Sequence, residues 1–241
     1  MRFVVQPGGV QDAAVAVPGD KSISHRAVML GSIASGATDI SGFLNGEDCL
    51  ATLAAMESMG VRTEQHDATS LTVHGVGLHG LQAPSCDLDM GNSGTAMRLM
   101  AGLLAGQSFG SRLVGDESLT SRPMQRVITP LEAMGASIGS RDGRPPLEVR
   151  GGQSLQGIHY DLPMASAQVK SAILLAGLYA DGVTSVTEPA VTRDHTERMF
   201  TAMGIEVGRK DGRIAVEGGQ EPVGGRVEVP GDLSSAAFVM L

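Results

Sequence analysis

Lys21, Ser22 and Arg26 cluster in VPGDKSISHR (17–26), with Ser22 and Arg26 four residues apart, one helical turn. Asn92, Gly94 and Arg98 fall together in GNSGTAMR, and Ser166, Ala167, Gln168 and Lys170 in MASAQVK. Each group follows a short apolar stretch and opens an apolar-striped one, so each is predicted where a tight loop enters a helix. A helix start offers unpaired N–H groups and a partial positive charge, which favour phosphate or carboxylate. Three such junctions suit a ligand with more than one acidic group. Arg122 in SRPM, at a helix start with Pro123 at its first position, and Arg193 in TRDHTE add planar forks suited to bidentate anion contact. Plainer readings stand beside these. Ser22, Asn92 and Ser166 also suit helix N-caps, and Lys21 and Arg26 suit solvated charges. Gly94 suits a close helix approach, Arg122 an ion pair with Asp116 or Glu117, and Arg193 local pairing within RDHTE. The threefold recurrence weighs toward a site.

Other chemistry is sparse. The sequence has no phosphate-binding Gx4GK[ST], no HExxH, no GxSxG and no clustered metal ligands, so neither cofactor nor metal is expected. Of the six histidines, His66, His74 and His79 fall in or near a hairpin and are expected at the surface. The 13 methionines read as core filling. A net charge of −8, no tryptophan and 3% aromatics disfavour a nucleic-acid binder. No apolar run approaches the roughly 20 residues that cross a membrane. MRFVVQPGG does not read as a signal peptide, and Cys49 and Cys86 stand alone, so a reduced, cytoplasmic setting is expected.

The elements that carry these groups repeat. ATLAAMESMGV (51–61), TPLEAMGASI (129–138) and MFTAMGIEV (199–207) each read as a helix closed by a glycine and followed by a hairpin. Asp142–Gly143 and Asp211–Gly212 are hairpin-turn pairs. Residues 13–36, 86–106 and 159–182 each read strand, loop, helix, and a second strand follows each. In the first of these helices Ile23, Ala27, Leu30 and Ala34 form one apolar stripe. The unit is β-α-β-α-β-β, three times over. RVEVPGDLSSAAFVML opens a fourth copy and echoes VPGDK, so the chain reads as the front part of a longer one.

PGDKSISHR, GNSGTAMR, the RP of SRPM and the MASAQVKSA…TRDHTE pair together resemble the 5-enolpyruvylshikimate-3-phosphate synthases, along essentially the whole chain. The resemblance implies a mixed α/β (α+β) inverse-barrel fold of six βαβαββ units in two domains joined by a two-stranded hinge. This chain matches the N-terminal half. Residues 18–230 would form one substrate-binding domain of three units. Residues 1–17 would supply a strand to the other, C-terminal domain, and residues 231–241 would begin it. The implied reaction moves the enolpyruvyl group of phosphoenolpyruvate onto the 5-hydroxyl of shikimate 3-phosphate and releases phosphate, a step toward chorismate. By the same resemblance Lys21, Ser22, Arg26, Ser166, Ala167, Gln168 and Arg193 hold shikimate 3-phosphate. Lys21, Asn92, Gly94, Arg122 and Gln168 hold phosphoenolpyruvate. Ala167 stands where many relatives carry a second serine, which removes one phosphate hydrogen bond, and some branches carry tyrosine for Arg193.

In such enzymes the usual acid and base come from the other domain, so this chain alone is expected to anchor substrate without turnover, and the full-length enzyme to be a monomer. Glyphosate is implied as a competitor of phosphoenolpyruvate, with Gly94 leaving it room. Leu99, and the wording of SAQVKSA and RDHTE, resemble the more tolerant branch instead, so no sensitivity is assigned. Two alternatives stay open. One is the sister transferase acting on UDP-N-acetylglucosamine, whose reactive loop cysteine neither Cys49 nor Cys86 matches. The other is a non-catalytic polyanion-binding module.

Overall fold

The computed structural model describes residues 14–240. In chain order the first group is α1 (Lys21–Ser32), β1 (Ala37–Ser41), α2 (Glu47–Ser58) and the hairpin β2 (Arg62–Gln65) and β3 (Leu71–His74). The second is β4 (Leu88–Asp89), α3 (Gly94–Ala105), β5 (Ser111–Val114), a one-turn α4 (Glu117–Thr120), α5 (Gln125–Ala133), β6 (Ser137–Arg141) and β7 (Arg144–Arg150). The third is β8 (His159–Asp161), α6 (Ala167–Gly177), β9 (Val183–Thr187), α7 (His195–Ala202), β10 (Val207–Lys210) and β11 (Arg213–Glu217). β12 (Arg226–Glu228) and α8 (Leu233–Met240) follow.

These strands form three four-stranded sheets, ordered β12-β1-β3-β2, β4-β5-β7-β6 and β8-β9-β11-β10. In each, the first two strands run parallel and the rest antiparallel. A parallel pair needs a crossover, which α3 and α6 provide in the second and third sheets. The first sheet departs from the repeat read in the sequence. Residues 14–17 form no strand, and the part of that expected strand before residue 14 lies outside the described residues. Its place beside β1 is taken by β12, with Ile40 opposite Val227. The AVAV alternation is therefore not used within this sheet, and Val15 remains 58% exposed while Val229 is buried.

The two VPGD segments lie against each other instead. Gly19 and Gly231 form an antiparallel bridge, Asp20 N–H donates to Pro230 O and Asp232 N–H to Pro18 O, both at 2.8 Å. A side chain at Gly19 would collide with the carbonyl of Gly42, so the crossing depends on that glycine.

The core lies between the sheets, around α1, α3 and α6. Residues 24–32 of α1, 96–105 of α3 and 169–177 of α6 are buried all round rather than along one stripe. Of the stripe expected on α1, Ala27 and Leu30 are buried, Ile23 is half-buried and Ala34 lies just past the helix end. Ser24, His25, Arg26 and Ser32 on the other faces are buried too, with α2, α3 and α7 packed on the helix. α3 and α6 touch at Gly102, where any side chain would collide with the Ala172 carbonyl. The helix ends follow the sequence reading: Gly60, Gly135 and Gly204 sit just past α2, α5 and α7 with φ of +90, +102 and +85°. Both Asp-Gly hairpins have positive φ at each turn residue.

Candidate functional site

Because α1, α3 and α6 pack side by side, the three helix starts meet at one end of the core, and side chains tie them together. Arg26 donates from Nε to Thr196 Oγ1 at the start of α7 (2.7 Å), from Nη2 to Ser171 Oγ of α6 (2.8 Å) and from Nη1 to the Ser22 carbonyl (2.8 Å). Gln168 donates from Nε2 to Thr95 Oγ1 of α3 (2.8 Å) and accepts from Arg98 Nη1 (2.6 Å). The caps are Asp20 for α1, Ser93 for α3 and Ser166 for α6. Only Ser166 matches the capping alternatives read from the sequence. Ser22 and Asn92 stand beside a better-placed acceptor, which leaves both side chains free of that duty.

A cavity of about 430 Å³ opens over these starts. Ser22, Arg26, Thr95, Ser166, Ala167, Gln168, Thr192, Arg193 and His195 line it, with Val191. The lining holds two arginines, several hydroxyls and no carboxylate. Arg26 is 4% exposed, and burial lowers its pKa to about 10 while Glu197 pulls the other way, so it remains a cation at neutral pH. Burial and then Arg26 depress His195, which is therefore neutral near pH 7. Arg193 is exposed and makes no ion pair among the described residues. The pairing expected within RDHTE does not form: Asp194 turns instead to Arg198 at 2.9 Å and Arg209 at 3.6 Å, both outside that stretch. A larger cavity of about 510 Å³ lies across Val191 and Thr192, but its lining balances four cationic side chains with four carboxylates and offers an anion no net attraction.

A second cationic group stands at the start of α3. A Cβ on Gly94 would sit 3.0 Å from Arg98 Nη1 and 3.3 Å from Arg122 Nη1, so two guanidinium groups cover a bare backbone. Arg122 donates to Asn92 Oδ1 and to Ser118 Oγ, and Asn92 Nδ2 donates to Asp116 Oδ2 at 2.6 Å. The amide stands between Arg122 and Asp116, so the direct ion pair with Asp116 or Glu117 does not form. α5 begins at Gln125, two residues past Pro123, so Pro123 precedes the helix rather than opening it. Arg98 is bonded only to neutral acceptors, and burial, Arg126 and Arg122 lower its pKa to about 10.

Two cations are placed differently from the sequence reading. Lys21 is half exposed and paired with Asp48, outside the 430 Å³ cavity and beside the loop that enters α3. Lys170 is wholly buried between Glu188 and Glu197 at 2.8 and 2.7 Å, and so is not offered to a ligand. Thr95, Thr192 and His195 line the cavity without having been singled out. They flank motif residues, but no spacing marks them. Among the described residues no group of His, Cys, Asp or Glu is placed to hold a metal, and no helix is long and apolar enough to cross a membrane. Burial pushes the Cys49 thiol up to about 12, so it is no nucleophile, and Cys86 is an exposed residue before β4.

Comparison with known proteins places this geometry. Residues 5–241 match the family model described as EPSP synthase (3-phosphoshikimate 1-carboxyvinyltransferase). A 3-phosphoshikimate 1-carboxyvinyltransferase of Alkalilimnicola ehrlichii is 60% identical over 242 residues, covering 100% of this chain and 54% of its own length. One of Methylococcus capsulatus is 57% identical, covering 99% of this chain and 55% of its own. The EPSP synthase structure of Acinetobacter baumannii superposes with a TM-score of 0.90 at 56% identity, over 94% of this chain and 51% of that one. The chain spans about half the length of the curated relatives it matches.

Proposed function

As the chain belongs to the EPSP synthase family, we propose that it is the substrate-anchoring half of an enzyme that transfers the enolpyruvyl group of phosphoenolpyruvate to shikimate 3-phosphate. The observation that carries this is the carboxylate-free cavity around Arg26 at the meeting of three helix starts. In this reading Ser22, Arg26, Ser166 and Arg193 hold the 3-phosphate, and Gln168 reaches the ring. Ala167 contributes its backbone alone. Asn92, Gly94, Arg122, Gln168 and Lys21 hold phosphoenolpyruvate, with Lys21 leaving Asp48 for the ligand. Glyphosate, another small anion, competes at the same place.

The chemistry is addition and elimination. The 5-hydroxyl gives up its proton as its oxygen bonds to C2 of phosphoenolpyruvate and C3 takes a proton. The tetrahedral adduct then loses a proton from C3 and expels phosphate, reforming the double bond. The contribution of this half is electrostatic: it brings two anions together that would otherwise repel, and orients them. The acid and base belong to the remaining length that the relatives carry, which closes over the site and excludes water. The crossing at Gly19 and Gly231 supports a domain boundary there, with residues 18–230 as one domain. The whole enzyme is proposed to be monomeric and cytoplasmic.

Calorimetric titration with shikimate 3-phosphate tests the reading, with shikimate and UDP-N-acetylglucosamine as controls. Binding that requires the 3-phosphate and weakens in Arg26→Ala is expected. Absence of binding at millimolar ligand, or preference for the nucleotide sugar, overturns it.

A further inference from the structure

His25 is fully buried in α1 and belongs to neither cationic group. Its Nδ1 lies 2.8 Å from Thr52 Oγ1 of α2, and its Nε2 lies 3.1 Å from Oγ of Ser93, the cap of α3. The neighbouring groups point to one direction for these bonds. The Thr52 hydroxyl reaches the Asp48 carbonyl at 3.4 Å, and a hydroxyl that donates there accepts from the ring. Ser93 Oγ accepts the Ala96 N–H, which leaves its own proton for the ring. The chain therefore runs from Ala96 N–H to the Ser93 hydroxyl to Nε2, then from Nδ1–H to the Thr52 hydroxyl to the Asp48 carbonyl, each donor used once. Burial, reinforced by Lys21 and Arg26 and opposed by Asp48, keeps the ring neutral down to about pH 4. At one end of this chain stands the residue whose carboxylate holds Lys21. At the other stands the cap preceding Gly94, over which Arg98 and Arg122 lie.

We propose that His25 is a positioning residue: through Ser93 and Thr52 it fixes the first turn of α3 against Lys21, and so sets the phosphoenolpyruvate side of the site. The proposal rests on the anion-anchoring reading above, but its first tests need no ligand. Nitrogen-15 spectra of the unsubstituted protein should show His25 as the Nδ1–H tautomer, and the Nε2–H tautomer overturns the proposal. In His25→Leu the Ala96 amide should exchange with solvent about tenfold faster, the effect of losing one modest hydrogen bond, while amides of β9 hold theirs. His25→Gln, whose amide oxygen can accept from Ser93, should restore the slow exchange. Unchanged Ala96 exchange in the leucine variant, or loss in step with β9, means His25 only fills space and sinks the idea. With shikimate 3-phosphate bound, the leucine variant should weaken phosphoenolpyruvate binding about tenfold and the glutamine variant should recover it, with shikimate 3-phosphate affinity unchanged in both. Equal weakening for both ligands overturns the assignment to one side. A chain that binds neither ligand refutes the functional reading, while the tautomer and Ala96 exchange still decide the role of His25.

Discussion

A buried cation is tolerated only with an opposing charge or a full set of acceptors, and this site draws on both solutions. Lys170 has the first, between Glu188 and Glu197, and Arg98 meets the second only in part, bonded to the oxygens of Gly94, Gln168 and Pro123 while its Nε has no partner. Their substitutions should therefore behave oppositely. Lys170→Met leaves two carboxylates buried without a cation and should cost about 3–5 kcal/mol in urea unfolding. Arg98→Met removes a charge that no carboxylate compensates. Stability should hold or rise by about 1 kcal/mol, while phosphoenolpyruvate affinity falls at least about tenfold. A destabilised Arg98→Met would show that its hydrogen bonds outweigh its burial.

His25 makes the stability of the whole chain depend on pH. Its folded pKa of about 4 lies below the unfolded value of 6.5, so the unfolded chain binds the extra proton in between. Its contribution is complete above pH 6.5 and is lost as the pH falls toward 4, roughly 3 kcal/mol in all. Urea midpoints measured from pH 7 to 4 should fall with this slope, and His25→Gln should flatten it. Most polar residues of the site stood out in the sequence because they clustered at three junctions. What Lys21, Lys170 and His25 touch did not, because a partner such as Asp48, Glu197 or Ser93 is chosen by helix packing and leaves no mark in local spacing.

Packing between elements turns separate junctions into one site. Gly102 lets α3 and α6 come close enough for Gln168 to bond both Thr95 and Arg98. Gly102→Ala must push the helices apart, because a carbonyl on a rigid helix cannot swing aside as a side-chain tip can. A loss of about 1–3 kcal/mol is expected in urea unfolding. Titration should also show weaker binding of shikimate 3-phosphate, since Gln168 would be drawn away. Full affinity in a destabilised Gly102→Ala would mean that the junctions are held independently. At this scale the sequence was informative wherever the signal was local: the glycines after α2, α5 and α7, and the Asp-Gly turns. It was least informative for α1, where Arg26 suited a solvated charge and nothing marked Ser24 or His25 as buried. Two further helices and α7 in fact cover that helix, so burial there depends on neighbours.

For the molecule as a whole, the echo of VPGDK in VPGDL marks a place where the chain passes the same point twice. Strand–turn–helix wording was legible at both ends, but the sheet each strand joins was not. AVAV and RVEV alternate equally well, and only tertiary pairing selects RVE to lie beside β1. The first sheet therefore closes across nearly the full length of the chain, whereas the second and third close within their own segments. That difference should appear on deleting residues 226–241. The deletion strips β1 of its parallel partner and removes the buried Val229, while every strand of the other two sheets is left intact. Hydrogen exchange should accelerate at Asp39, Ile40 and Ser41 and spread into α1, which packs on that sheet. Amides of β5 and β9 should keep most of their protection. Ser22 and Arg26 ride on α1, so shikimate 3-phosphate binding should weaken although no cavity residue has been removed. Uniform acceleration across all three sheets would instead show that they unfold as one cooperative body, with β12 as its clasp.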